Sequence, residues 1–177
     1  MPRPSAPAGR AFERRCWTDL RVVIGAQGKV RMQLTRFSDY GLRLLMYLAH
    51  HDGRAVPVTI GEVAERFAIS RHHLVKVAHF LARQGWVRGT RGKGGGLVLA
   101  QPASSYRLGW LVRTLESHET VIDCAGLPCV LAGGCRLQAS LERAMRHFYD
   151  ELDRQTLADL VTAPTAVLLQ GLSLRTT

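Results

Sequence analysis

The stretch from Thr59 to Leu99 restricts the fold more than any other. Thr59 with Glu62 three residues on has the form of a capping box, and Ile60, Val63, Ala64 and Phe67 then line one side of a short helix. Ala68-Ile69-Ser70 reads as a turn in which Ser70 caps the next helix, with Leu74, Val77, Ala78 and Leu81 inward and Arg71, His72, His73, Lys76 and Arg83 outside. Two short helices at a tight turn, the later one basic on its outer face, predict a helix-turn-helix. Trp86-Val87-Arg88 and Leu97-Val98-Leu99 flank a glycine-rich run, Gly89 to Gly96, in the pattern of a β-hairpin. Arg91 and Lys93 at its tip, among glycines, supply charge and bare backbone for phosphates or a minor groove, as a wing requires. The run fails as a nucleotide-phosphate loop, because Gly94 follows Lys93 where Ser or Thr is needed.

Charge supports that reading. The net formal charge is +10, and between Arg66 and Leu115 there are nine Lys or Arg and no Asp or Glu. A block of one sign that includes helical periodicity and a glycine-rich turn points to double-stranded DNA ahead of a membrane surface, although a solvated basic face is the plain alternative on charge alone. The longest apolar runs fall well short of the ~18 to 20 residues a bilayer crossing needs, and no secretory apolar region opens the chain, so a cytoplasmic protein is expected.

Around this centre lie further elements. Leu34, Phe37, Leu42, Leu45, Met46 and Leu48 recur at helical spacing up to His50-His51-Asp52-Gly53, and Asp39 is the one acid among them, by itself an exposed helical carboxylate. After Pro102, Tyr106 to Leu115 predicts a helix with Leu108, Leu111, Val112 and Leu115 inward. Beyond Cys135, the series Leu137, Leu141, Ala144 or Met145, Phe148, Leu152 and Gln155 approximates a heptad seam. Continued to Leu160, that helix would reach about 36 Å and need a partner chain to cover its stripe. Residues 1–31 lack any sustained period and are expected to be disordered, with Met32 a candidate start. Residues 162–177 read as a tail.

Cys124, Cys129 and Cys135 fall in CAGLPCVLAGGC, spaced C-x4-C-x5-C on backbone that glycine and proline hold out of regular structure. Gathered thiols in a chain without an export signal point to a soft metal centre. A structural zinc using His118 or His147 and a metal-free thiol switch are the rivals, and Cys16 stands apart. No nucleophile-base-acid set or nucleotide fingerprint suggests an enzyme.

From Met32 to about Val161 the chain resembles the iron-sulfur branch of the Rrf-two superfamily of winged-helix repressors, and within it the nitric-oxide-sensing NsrR group. The matching segments are MQLTRFSDYGLRLL, ISRHHLVKV, RGKGGGLVLAQPA, the cysteine loop followed by RLQ, and LDRQTLADLV. The resemblance implies a homodimeric repressor that binds a palindromic operator while holding an iron-sulfur cluster and releases it on nitric oxide attack. Cys124, Cys129 and Cys135 would be thiolate ligands and Asp39 of the partner subunit the fourth, on a 4Fe-4S cluster favoured over 2Fe-2S. IscR-like regulators of iron-sulfur status are the nearest alternative; they carry a His three residues after the last Cys, where Gln138 stands here. The expected class is mainly α with a small β-wing: a winged helix-turn-helix over 32–116, a cluster loop over 117–136 and a long dimerisation helix over 137–161. Arg71, His72, His73, Lys76, Arg91 and Lys93 are the expected DNA contacts.

Overall fold

The computed structural model describes residues 33–173 apart from 91, 93, 117–128 and 132. Helix α1 (Arg36–His50) starts at Thr35, whose hydroxyl accepts the Ser38 N–H at 3.2 Å. It buries Leu44, Leu45, Tyr47 and Leu48 against the rest of the chain. Leu34, placed in this helix by its spacing, lies just before it and is exposed.

Helix α2 (Ile60–Phe67) begins at Thr59, which accepts from the Glu62 N–H at 3.1 Å. The reciprocal half of the predicted capping box is not the dominant contact. The Glu62 carboxylate takes short hydrogen bonds from Tyr47 Oη at 2.9 Å and Arg54 Nη1 at 2.6 Å, tying α2 to α1. The turn then depends on Ala68, which adopts φ 52° and ψ 41° so that the chain reverses within two residues and drops Ile69 into the core. Helix α3 (Arg71–Arg83) follows, with Leu74, Val77, Ala78 and Leu81 all buried as their spacing predicts. Ser70 holds the N-cap position, but its hydroxyl makes no capping bond, so the helix start rests on backbone geometry.

Strands β1 (Val87–Gly89) and β2 (Leu97–Leu99) pair antiparallel, Val87 with Leu99 and Gly89 with Leu97. Val58, just before α2, adds a bridge to Leu97, with the Leu97 N–H on the Val58 carbonyl at 2.7 Å. A side chain at Gly96 would put its Cβ 2.6 Å from the Val58 carbonyl oxygen, so only glycine lets the wing base press against the entry to α2.

A 3-10 turn (Ala103–Ser105) leads to α4 (Leu108–Glu116). The predicted start at Tyr106 is two residues early. Tyr106 is extended and buried, its hydroxyl donating to the Trp86 carbonyl and accepting from the Gln101 N–H, both at 3.0 Å. Leu108, Leu111, Val112 and Leu115 are buried as expected.

Helix α5 (Arg136–Leu152) crosses α4 at Gly109, where any side chain would run into the Tyr149 carbonyl. The helix expected to reach Leu160 ends at Leu152, because the residues after it are claimed by α4: Asp153 Oδ1 accepts the Trp110 N–H at 2.8 Å and the Gln155 carbonyl accepts the Leu108 N–H at 3.0 Å. A new helix, α6 (Leu157–Leu160), starts from a capping box of Thr156 and Asp159. The stretch read as a tail forms α7 (Thr165–Ser173), seated by buried Leu169 and by Arg66, which donates to the Leu172 carbonyl at 2.7 Å. No helix among the described residues is long and apolar enough to cross a membrane.

Candidate nucleic-acid interface and cysteine segment

At about 100° per residue, the buried row of α3 defines its inward direction, and His72, Lys76, His79 and Arg83 fall on the opposite side. All four are exposed, and neither Lys76 nor Arg83 has an acidic partner among the described residues. Arg71 opens the helix beside them, also exposed. His73 is exposed at the edge of this row, its ring 6.1 Å from that of His72 and 6.1 Å from that of Tyr40 on α1. His79 is the residue the sequence reading passed over. Its seven-residue spacing from His72, two helical turns, was the available signal.

Arg71 also lines an open cleft of about 440 Å3 whose other walls are Thr59, Ile60 and Gly61 at the start of α2 and the wing backbone at Thr90, Gly92, Gly95 and Gly96. Thr90 braces that wing: its hydroxyl accepts the Gly96 N–H at 2.9 Å and its own N–H donates to the Gly96 carbonyl at 2.8 Å. The glycine-rich wing thus faces Arg71, at the first turn of α3, across this cleft. Arg91 and Lys93, expected at the tip, lie outside the described residues.

The cysteine segment is described in part. Cys124 lies outside the described residues, whereas Cys129 is an exposed free thiol and Cys135 a half-buried one at the N-cap of α5. Asp39 stands in the first turn of α1, its carboxylate accepting Arg43 Nε at 2.7 Å with both side chains more than two-fifths exposed. Glu116, the last residue of α4, accepts the Thr35 N–H at 2.8 Å, so the cysteine segment departs from beside the helix start that carries Asp39. Among the described residues no three His, Cys, Asp or Glu come together as a metal site. Cys129 and Cys135 are nevertheless free thiols and Asp39 a carboxylate held only by the exposed Arg43, sulfur and oxygen donors of the kind that holds iron.

Comparison with known proteins agrees with this geometry. The Rrf2 family, described as iron-dependent transcriptional regulator, matches residues 34–163. Among solved structures, CymR (YrzC), the global cysteine regulator of B. subtilis, is 26% identical with a TM-score of 0.62, over 73% of this chain and 96% of that one. A transcriptional regulator from Listeria innocua is 28% identical with a TM-score of 0.61, over 75% and 88%. T. potens IscR is 27% identical with a TM-score of 0.59, over 77% and 89%. With its recognition helix, wing and family match spanning nearly three quarters of the residues, this chain belongs to the Rrf2 family of winged-helix transcriptional regulators.

Proposed function

We propose that the chain is a homodimeric, DNA-binding repressor that senses nitric oxide through an iron-sulfur cluster, favoured as 4Fe-4S over 2Fe-2S. The observation that carries the DNA half is the outward row of α3, with Lys76 and Arg83 lacking acidic partners among the described residues, beside a braced strip of wing backbone. Double-stranded DNA offers phosphates for Arg71, Lys76 and Arg83 and base edges for His72 and His79, while Arg91 and Lys93 would serve the wing.

The dimer half rests on α5. Of its 17 residues only Tyr149 is buried, and Leu137, Leu141, Ala144 and Phe148 share an edge that the chain's own α4 does not cover. A second copy is the natural cover, because a palindromic operator with half-sites about one helical turn, ~34 Å, apart calls for two recognition helices related by a two-fold axis.

For the sensor, Cys124, Cys129 and Cys135 would hold the cluster with Asp39 of the partner subunit. An iron-sulfur cluster supplies iron that reacts with small diatomics, most readily where a harder carboxylate replaces a thiolate. Asp39 would have to leave Arg43, and an exposed i,i+4 pair of that kind holds it by only about 0.3 to 0.5 kcal/mol. Arg43 can also keep the carboxylate oriented until it binds. Loss of the cluster would free the segment between Glu116 and Cys135 and undo the tie between Asp39 of one subunit and the cysteines of its partner, while α4 and α5 stay packed through Gly109 and Tyr149.

The IscR match gives an iron-sulfur-status regulator as the second reading. Against it, the position three residues past Cys135 is Gln138, whose amide donates to Glu142 at 2.9 Å along the same helix. Native mass spectrometry of protein prepared without oxygen tests the proposal. A dimer whose added mass matches one cluster per subunit, and which leaves operator DNA on stoichiometric nitric oxide, is expected. A colourless dimer with zinc or no metal would overturn the sensor, and release governed by iron supply but not by nitric oxide would favour the second reading.

A further inference from the structure

Along the flank of α3 that adjoins the row of His72, Lys76 and Arg83, the exposed residues Arg71, Val75 and His79 follow one another at four-residue spacing. Val75 is the apolar member of this face: it is 46% exposed and takes no part in the hydrophobic core. A single exposed valine elsewhere would need no explanation. Here it lies among cations, one turn in from Arg71, whose place in the cleft beside the wing fixes how that end of α3 would meet a duplex.

In a major groove the isopropyl group of Val75 would meet either polar base edges or the C5-methyl of thymine. Polar edges covered by an alkyl group lose water without gaining a hydrogen bond, which is unfavourable. The thymine methyl is the apolar surface that groove offers, and contact with it distinguishes thymine from every other base. We propose that Val75 is a specificity-determining residue that packs on a thymine C5-methyl, so that each half-site of the preferred operator carries a thymine at that position. This rests on the DNA-binding reading above.

The full chain, prepared without oxygen, selects its preferred site from a randomised duplex pool, and each thymine of that site is then replaced by deoxyuridine, which removes one methyl group only. At one symmetry-related pair of positions, wild type is expected to lose about fourfold in affinity per half-site, the worth of one buried methyl group. Val75→Ala should bind thymine and uracil sites equally there, while Lys76→Ala should bind more weakly everywhere but keep the uracil penalty. Because Val75 is outside the core, Val75→Ala should unfold at the wild-type temperature. If wild type and Val75→Ala show the same uracil ratio at every thymine, Val75 does not read the methyl and the inference fails while DNA binding stands. A chain that enriches no duplex overturns both.

Discussion

Leu137→Ala should weaken the dimer while leaving each subunit folded. Leu137 is 60% exposed on α5. Full burial of a leucine side chain stabilises by about 1.5 to 3 kcal/mol, so covering the exposed part contributes about 1 to 2 kcal/mol per subunit and about 2 to 4 kcal/mol per two-fold dimer. Truncation to alanine should therefore raise the dimer dissociation constant by about thirtyfold to several hundredfold. Sedimentation equilibrium over a dilution series reads that constant, and circular dichroism checks helix content. Phe148→Ala repeats the test three turns further along the same edge, away from Cys135. Tyr149→Ala is the contrast: it removes the one buried residue of α5 and should cost about 3 to 5 kcal/mol of subunit stability. A Leu137→Ala and a Phe148→Ala protein that both dimerise like wild type would refute the assignment of this edge to a second copy.

Ala68→Gly should stabilise the fold by about 0.5 to 1 kcal/mol, since relief of a left-handed alanine outweighs the added freedom of the unfolded chain; a lower urea midpoint at unchanged slope would contradict this. Burial pushes the Glu62 carboxyl up, but hydrogen bonds from Arg54 and Tyr47 and the Arg54 charge bring it below its ordinary value. Its stabilising contribution is therefore present above the ordinary glutamate pKa of ~4.3 and is lost as pH falls through the lower folded value. Urea unfolding from neutral to acid pH should show that loss in wild type and a shallower one in Glu62→Gln, and identical profiles would count against the network. Tyr106→Phe leaves the Trp86 carbonyl and the Gln101 N–H without their shared partner and should lower stability by about 1 to 3 kcal/mol in thermal unfolding; no change would mean that other groups satisfy both.

Where structure depends on near neighbours in the chain, the sequence was a sufficient guide. The four inward residues of α3 follow from period alone, and the hairpin follows from its glycine-rich turn, with the first strand lying one residue later, Val87 to Gly89, than the expected Trp86 to Arg88. Ser70, which makes no capping bond, is a local miss; the larger ones depend on distant partners. Glu62 is drawn from its box by Tyr47 and Arg54. The apolar series beyond Leu152 stays nearly in register with a helix that Asp153 and Gln155 end by bonding to α4. The tail folds as α7 because Leu169 finds a core and Arg66 finds the Leu172 carbonyl, neither of which a short polar-poor stretch announces. On α3, the expected contacts Arg71, His72, His73 and Lys76 are all exposed, and His79, two turns beyond His72, shares that exposure although no charge drew attention to it. The cysteine spacing was legible as donor chemistry. Cys124 and the two wing-tip cations lie outside the described residues, so their roles stay with the proposal.

The most direct test compares operator affinity of one preparation before and after its iron is removed by anaerobic chelation, at fixed salt, with Cys124→Ala alongside. The account predicts that removal and substitution both lower specific affinity at least about a hundredfold, toward the level of random duplex, while the dimer persists. Equal affinity and selectivity with and without iron would contradict it.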